Sequence, residues 1–263
     1  MNIIPKKSLG QNFLKDKNII KKICDSGNIS EKDYVLEIGP GTGNLTETIL
    51  LKKPKKLYVI EKDKRLIEHL NKKFQDSIVV INEDILQYKF NELNIKNLIV
   101  FGNLPYNISS QILVKFIKHH RKDFIFKKLI FMFQKEVAER ILAKDNTNLY
   151  GRLSIFSSWK FNIKKIMDIE PSSFYPKPKV TSTLLIFEPK SNYIEFKNSN
   201  NLEHITNIFF NQRRKMIKKP LNIIFKNPKK VADELKLDVK LRPQNLDKNT
   251  FYKICLIYEK LIK

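Results

Sequence analysis

The sequence predicts an α/β fold: an open sheet of short buried strands with helices between them, followed by a helical region. Short apolar runs such as Val35-Leu36 and Leu98-Ile99-Val100-Phe101 recur along the first two thirds of the chain, separated by amphipathic stretches. A glycine-rich turn joins the first run directly to a helical stretch, an order that leaves backbone N–H groups pointing at a ligand. From Pro189 onward the strand-like runs stop and helical periodicity takes over.

The chain opens on Lys6-Lys7-Ser8-Leu9-Gly10-Gln11-Asn12-Phe13-Leu14, which by itself reads as an N-terminal arm. Asp16 is placed to cap a helix whose inner face carries Ile19, Ile20 and Ile23. Tyr34 to Ile38 form a buried strand, Gly39-Pro40-Gly41-Thr42-Gly43-Asn44 the turn, and Leu45 to Leu51 a helix. The spacing is G-x-G-x-G, not the G-x-G-x-x-G of dinucleotide sites. Glu37 at its edge suits a ligand carrying an amino group and a sulfonium better than a pyrophosphate; a purely structural turn is the alternative.

The second strand, Lys56 to Ile60, ends in Glu61-Lys62-Asp63. Glu61 stands about 20 residues past the glycines, where ribose hydroxyls are gripped. Asp63 reads as the acidic start of an amphipathic helix through Leu66, Leu70 and Phe74. The third strand, Ile78 to Ile81, runs into Asn82-Glu83-Asp84-Ile85. Asp84, more than Glu83, is placed to accept from an adenine amino group, because Ile85 beside it can pack on the base.

The fourth strand leads to Gly102-Asn103-Leu104-Pro105-Tyr106, where Gly102 and Pro105 end the ladder and turn the chain. A polar amide, a proline and an aromatic ring are thus displayed at a strand's carboxyl end, where open α/β sheets bind ligands. The Asn103 carbonyl and a backbone carbonyl released by Pro105 can accept both N–H bonds of an exocyclic amine while Tyr106 stacks on its ring. That arrangement suits methyl transfer to an amino group on a flat base. A strand-ending turn with an incidental aromatic is the plainer alternative.

Ser109-Ser110 is expected to cap a helix with Ile112, Leu113, Phe116 and Ile117 inward. A fifth strand, Leu129 to Phe133, precedes a helix opened by Gln134-Lys135-Glu136-Val137-Ala138, and Tyr150-Gly151-Arg152-Leu153-Ser154 leads into another. Strands at 163–169 and 180–187 bracket Pro171-Ser172-Ser173-Phe174-Tyr175-Pro176-Lys177-Pro178-Lys179. Two aromatics and two lysines on a proline-stiffened loop suit an unstacked base and its phosphates, or a hairpin with its aromatics packed inward. Beyond a polar stretch from Ser191 to Asn201, the region 213–219 carries five cations in seven residues before Pro220. Such a run reads as a nucleic-acid face or as a solvated helix end. Arg242-Pro243-Gln244-Asn245-Leu246 opens a final helix with Phe251, Ile254, Cys255 and Tyr258 inward.

The 263 residues carry 50 Lys and Arg against 27 Asp and Glu, a formal net charge of +23. A charge that large favours a polyanionic partner, although a genome bias toward lysine accounts for part of it. Two distant cysteines, Cys24 and Cys255, predict free thiols in a reducing compartment, and the cytoplasm is the expected location. The start, Met1 to Lys7, lacks a signal-peptide core, no stretch has the length of a membrane span, and the histidines lack metal-ligand spacing, so no metal site is expected.

Taken in order, SLGQNFL at 8–14, EIGPGTGNLT at 37–46, GNLPYNIS at 102–109, QKEVAERI at 134–141, YGRLS at 150–154, PKPKV at 176–180 and FNQRRK at 210–215 resemble the ribosomal RNA small-subunit adenine dimethyltransferases, the KsgA family. The likeness spans nearly the whole chain. It implies a class I methyltransferase fold (Rossmann-like), with a seven-stranded, mostly parallel sheet and a small helical C-terminal domain. The implied division is residues 1–190, a catalytic domain that binds the cofactor, and 191–263, a helical domain that contacts RNA. The implied cofactor is S-adenosylmethionine, with Asn12 and Leu14 closing over it and Gly39 passing its methionine end. Glu61 would take the ribose, Asp84 the adenine amine, and Asn103 the meeting point of donor and acceptor. Asn103 and the Leu104 carbonyl would hold the target amine, with Tyr106 on one face of the base and Phe174, or Tyr175 beside it, on the other. The implied substrate is two adjacent adenosines in the 3′-terminal hairpin loop of small-subunit ribosomal RNA, each dimethylated at N6. The expected partner is a maturing small ribosomal subunit, met by a monomer with no membrane involved. Erm-type enzymes acting on large-subunit RNA are the nearest alternative, amino-methylating DNA enzymes a further one, and an assembly factor whose methylation is secondary the rival from another class. Met216 stands where the family often has Thr, and Pro220 follows, which puts the local helix geometry in question.

Overall fold

The computed structural model describes residues 3–93, 95, 97–121 and 126–261. Met1 and Asn2, at the start read above for a leader, lie outside them. Contacts divide the chain into two units, Met1–Ala138 with Asn162–Pro189, and Glu139–Phe161 with Lys190–Lys263. The expected boundary near 190 is therefore accompanied by an excursion: residues 139–161 leave the first unit and group with the C-terminal helices.

In the first unit, the elements up to the glycine turn are β1 (Phe13–Leu14), α1 (Lys17–Ser26), β2 (Tyr34–Ile38) and α2 (Asn44–Leu50). There follow β3 (Lys56–Glu61), α3 (Lys64–Phe74), β4 (Val79–Asn82), β5 (Leu98–Asn103), α4 (Ser109–His119) and β6 (Phe126–Gln134). Helices α5 (Lys135–Leu142) and α6 (Arg152–Lys160) precede β7 (Phe161–Ile169), β8 (Phe174–Tyr175) and β9 (Ser182–Pro189). Seven strands form one sheet in the order β4-β3-β2-β5-β6-β9-β7, and β1 pairs with β8 in a separate two-stranded ribbon. Pairing is parallel from β4 through β6, and β9 runs antiparallel to β6. This is the class I methyltransferase architecture expected from the sequence; the β1–β8 ribbon was not foreseen.

The central strands are apolar on both faces because helices cover both. Val35, Ile99, Phe101, Ile130, Met132, Leu184 and Ile186 point into one core with Ile20, Ile23 and Ile49. Asp16 caps α1, accepting from the Asn18 and Ile19 amides at 2.9 and 3.1 Å. Ser109 does not cap α4 as expected: Ile108 is the N-cap, and the Ser109 hydroxyl donates to the Tyr106 carbonyl at 3.1 Å.

The second unit holds α6 with α7 (Ser199–Asn211), α8 (Lys218–Ile224), α9 (Pro228–Glu234) and α10 (Lys248–Leu261). Helices α6, α7 and α10 pack on one another. The Tyr252 hydroxyl donates to the Ile155 carbonyl at 2.8 Å, and Arg213 donates to the carbonyls of Tyr150 at 2.8 Å and Asn148 at 2.6 Å. Arg213 is thus spent on the fold, which splits the cationic run: Arg214 and Lys215 are exposed, Arg213 ties down the 147–150 segment. Pro220 sits in the first turn of α8, where its missing N–H costs no helical bond, and Met216 lies in the connection before it, 56% exposed. Among the described residues no helix is long and apolar enough to cross a membrane.

Candidate active site

The parallel register brings four strand ends to one edge. Ile38 lies beside both Ile60 and Gly102, and Glu61 beside Asn82. Gly39, Glu61, Asp84 and Asn103 therefore share the carboxyl edge of β2 to β5. The chain order reverses between β2 and β5, and that switch point opens a crevice. The resulting cleft is lined by these four residues together with Asn12, Leu14, Leu104 and Tyr106.

Gly39 has φ +62°, and a Cβ there would meet nothing within 4 Å, so its backbone borders open space where a ligand can approach. Gly41 answers to a different constraint: a Cβ would lie 2.7 Å from the Phe13 ring, which crosses the loop.

The cleft is acidic, and its carboxylates differ in state. Burial pushes Glu37 up to about 7; the Thr46 hydroxyl, donating at 2.6 Å, opposes this and the Glu61 charge adds to it. Glu61 is also raised, mainly by burial, while its Oε1 accepts from the Lys62 and Asp63 amides at 2.9 Å each. Those two bonds, with a further backbone N–H from Gly41, orient the carboxylate at the cleft wall. At Asp84 burial works upward, but the Leu86 N–H at 2.9 Å and the Lys62 ammonium at 3.2 Å prevail and hold the carboxyl below its usual value.

Asn103 ends β5 with its Nδ2 donating to the backbone carbonyl of Asn12 at 2.8 Å. Only the NH2 end of an amide can pair with a carbonyl, so Oδ1 is left as an acceptor on a residue lining the cleft. Leu104 lines the cleft and is otherwise buried. The Tyr106 hydroxyl shares a 2.6 Å hydrogen bond with Ser182 on β9, which fixes the ring at the cleft wall.

Phe174, expected beside the base, is buried. It is 1% exposed and packs in the core with Leu14, whereas Tyr175 beside it is 61% exposed. The reason is strand alternation: Phe174 pairs with buried Leu14, and Tyr175 pairs with Phe13 on the opposite side of the ribbon.

The N-terminal segment, read above as an arm, forms a wall of this site from Leu9 to Leu14. Asn44 Nδ2 donates to the Leu14 carbonyl at 2.7 Å, and the Lys15 amide donates to the Ser173 carbonyl at 2.9 Å. Local periodicity carries no signal of these bonds, since each joins residues far apart in the chain.

Comparison with known proteins accords with this geometry. The model of the family described as ribosomal RNA adenine dimethylase matches residues 4–261. The chain belongs to the ribosomal RNA adenine dimethylases. Among relatives, the ribosomal RNA small subunit methyltransferase A of Pelagibacter ubique is 54% identical, over 99% of each chain. Its namesake from Francisella tularensis subsp. novicida is 42% identical, over 94% of each. A crystal structure of a dimethyladenosine transferase from Plasmodium falciparum superposes with a TM-score of 0.82 at 31% identity, covering 94% of this chain and 98% of that one.

S-adenosylmethionine is the cofactor of the dimethylases, and the residues present fit it. The open space at Gly39 admits a ligand against the backbone. An acidic cleft suits its sulfonium and ammonium groups, and the oriented Glu61 carboxylate suits the hydroxyls of a ribose.

Proposed function

We propose that this dimethylase transfers methyl groups from S-adenosylmethionine to N6 of two adjacent adenosines in the 3′-terminal hairpin loop of small-subunit ribosomal RNA. The observation that carries the reading is the oriented amide of Asn103, whose donor end is committed to Asn12 and whose acceptor oxygen belongs to a residue lining the cleft.

Asn103 Oδ1 and the Leu104 carbonyl accept the two N–H bonds of the target amine and draw its lone pair out of conjugation with the ring. Tyr106, pinned by Ser182, stacks on the base. Glu61 and Asp84 hold the nucleoside part of the cofactor, the backbone at Gly39 its amino-acid part, and Asn12 and Leu14 close the near side. S-adenosylmethionine, when bound, supplies an electrophilic methyl on a sulfonium. The residues need no strong base: their contribution is orientation and exclusion of water. Tyr175, Lys177 and Lys179 stand exposed at alternate positions beside the β1–β8 ribbon and suit RNA bases and phosphates. The second unit adds exposed cations at Arg214 and Lys215. The enzyme acts as a cytoplasmic monomer on a maturing small subunit.

The test is transfer of labelled methyl groups to unmethylated small subunits, with the product mapped by mass spectrometry. Dimethyladenosine at two adjacent 3′-end positions is the expected result. Label on large-subunit RNA, or none despite intact binding of cofactor and subunit, would overturn it.

A further inference from the structure

The turn after β3 carries a second buried carboxylate that the reaction does not use. Asp63 is 4% exposed and lies two residues past Glu61, to which its own amide donates. Arg65 grips it with two bonds, Nε to Oδ1 at 3.1 Å and an Nη to Oδ2 at 2.6 Å. Gln11 Nε2 also donates to Oδ2, at 3.1 Å, and the Lys6 ammonium lies 3.7 Å from Oδ1. The remaining Arg65 Nη donates to the Ile4 carbonyl at 3.2 Å. Helix capping accounts for only one of these contacts, the Arg65 amide at 3.2 Å.

The rest converge on the N-terminal wall. Both ends of the Gln11 amide are committed, since its Oε1 accepts from the Lys6 amide at 2.7 Å. The next residue, Asn12, offers the backbone carbonyl that holds Asn103. A continuous set of short contacts thus runs from Arg65 and Asp63 through Gln11 and Asn12 to the amide that meets the target amine.

We propose that Asp63 and Gln11 are positioning residues for Asn103: they lock the N-terminal wall so that the Asn12 carbonyl keeps the Asn103 acceptor aimed into the cleft. The proposal rests on the methyl-transfer reading, yet it separates from the view that residues 9–14 merely cover the cofactor. A cover affects how tightly cofactor is held. A positioning contact affects how fast the bound complex reacts.

The experiment uses the full-length enzyme with Gln11→Ala, Asn103→Ala and the two combined. Single-turnover rates are measured at saturating cofactor and unmethylated small subunits, alongside cofactor Kd by calorimetry and thermal melting. Gln11→Ala is expected to slow transfer by about tenfold or more with an unchanged melting profile, because small misplacements of reacting groups carry losses of that size. In the Asn103→Ala background the same change is expected to alter the rate by less than about twofold, since nothing is left to position. Equal losses in both backgrounds, or a change in Kd with the rate intact, would sink the proposal. If the wild-type enzyme labels a different RNA, the same cycle is run on that RNA, so a wrong substrate and a wrong latch are told apart. Hydrogen exchange of the Asn103 side-chain amide, followed by NMR, needs no turnover: Gln11→Ala should speed it, and an unchanged rate counts against the latch.

Discussion

On the cofactor side of the cleft, Glu37, Glu61 and Asp84 each accept a hydrogen bond from a defined neighbour: Thr46, the Lys62 and Asp63 amides, and the Leu86 amide. On the loop after Phe174, Tyr175, Lys177 and Lys179 are exposed on alternate residues, and among the described residues neither lysine is in an ion pair. The contrast fits the ligands proposed for the two sides. A small molecule of fixed shape is held best by groups ordered beforehand, since ordering them on binding costs affinity. A polymer with a mobile backbone is met by cations and a ring face that adapt to it. Even within the cofactor side the two carboxylates of one turn diverge. Glu61 is held by backbone amides and raised by burial, while Arg65 and Gln11 hold Asp63 well below its usual value.

The sharpest way to break this contrast is Asn103→Ala. Transfer at saturating substrates should fall by about a hundredfold or more, the size of losing one acceptor or donor aimed at the reacting group, with cofactor Kd little changed. Equal losses in both would refute a transition-state role. Glu61→Gln comes next: cofactor Kd should weaken by about tenfold or more, as expected when a hydrogen bond to a charged group is lost, with the Michaelis constant for RNA unmoved. An RNA effect as large as the cofactor effect would erase the distinction between the two sides.

Tyr175→Ala should do the opposite. It should raise the Michaelis constant for the subunit by about fivefold or more, the equivalent of one stacking contact, leave cofactor Kd alone, and be spared by Tyr175→Phe. No change in that constant would mean the exposed ring is not an RNA contact. The smallest effect concerns Glu37. The folded protein keeps its proton up to about 7 while the unfolded chain releases it near 4.5, so its contribution is fully present below 4.5 and is lost as pH rises through about 7. Glu37→Gln should therefore flatten the fall of melting temperature across that window, without levelling it, because Glu61 is raised as well. An identical slope in wild type and variant would show that Glu37 is not held protonated.

Much of this was legible beforehand because the signals are local. Apolar runs between turn residues located β2 to β6, the glycine spacing located the loop at Gly39, and an acidic residue at the end of β3 pointed to Glu61. Boundaries moved by a residue or more: β6 extends to Phe126 and Gln134, beyond the apolar stretch, because backbone pairing continues past it, with β5 at the Phe126 end and with β9 at the Gln134 end. Which of Phe174 and Tyr175 faces solvent was not legible, because sequence shows two adjacent aromatics and only the β1–β8 register separates them.

The sequence by itself determined the strand order of chemistry: which residue types follow each strand, and hence that a cofactor and a planar amine could meet. Tertiary structure alone decided that residues 139–161 join the C-terminal unit and that Arg213 holds a loop rather than standing free. It also decided that the N-terminal arm is a wall of the cleft, tied through Gln11 to Asp63 and through Asn12 to Asn103. The physical reason is range. Propensity and periodicity act over a few residues, whereas these contacts join groups 52 and 91 positions apart, which only the folded chain brings within hydrogen-bond distance.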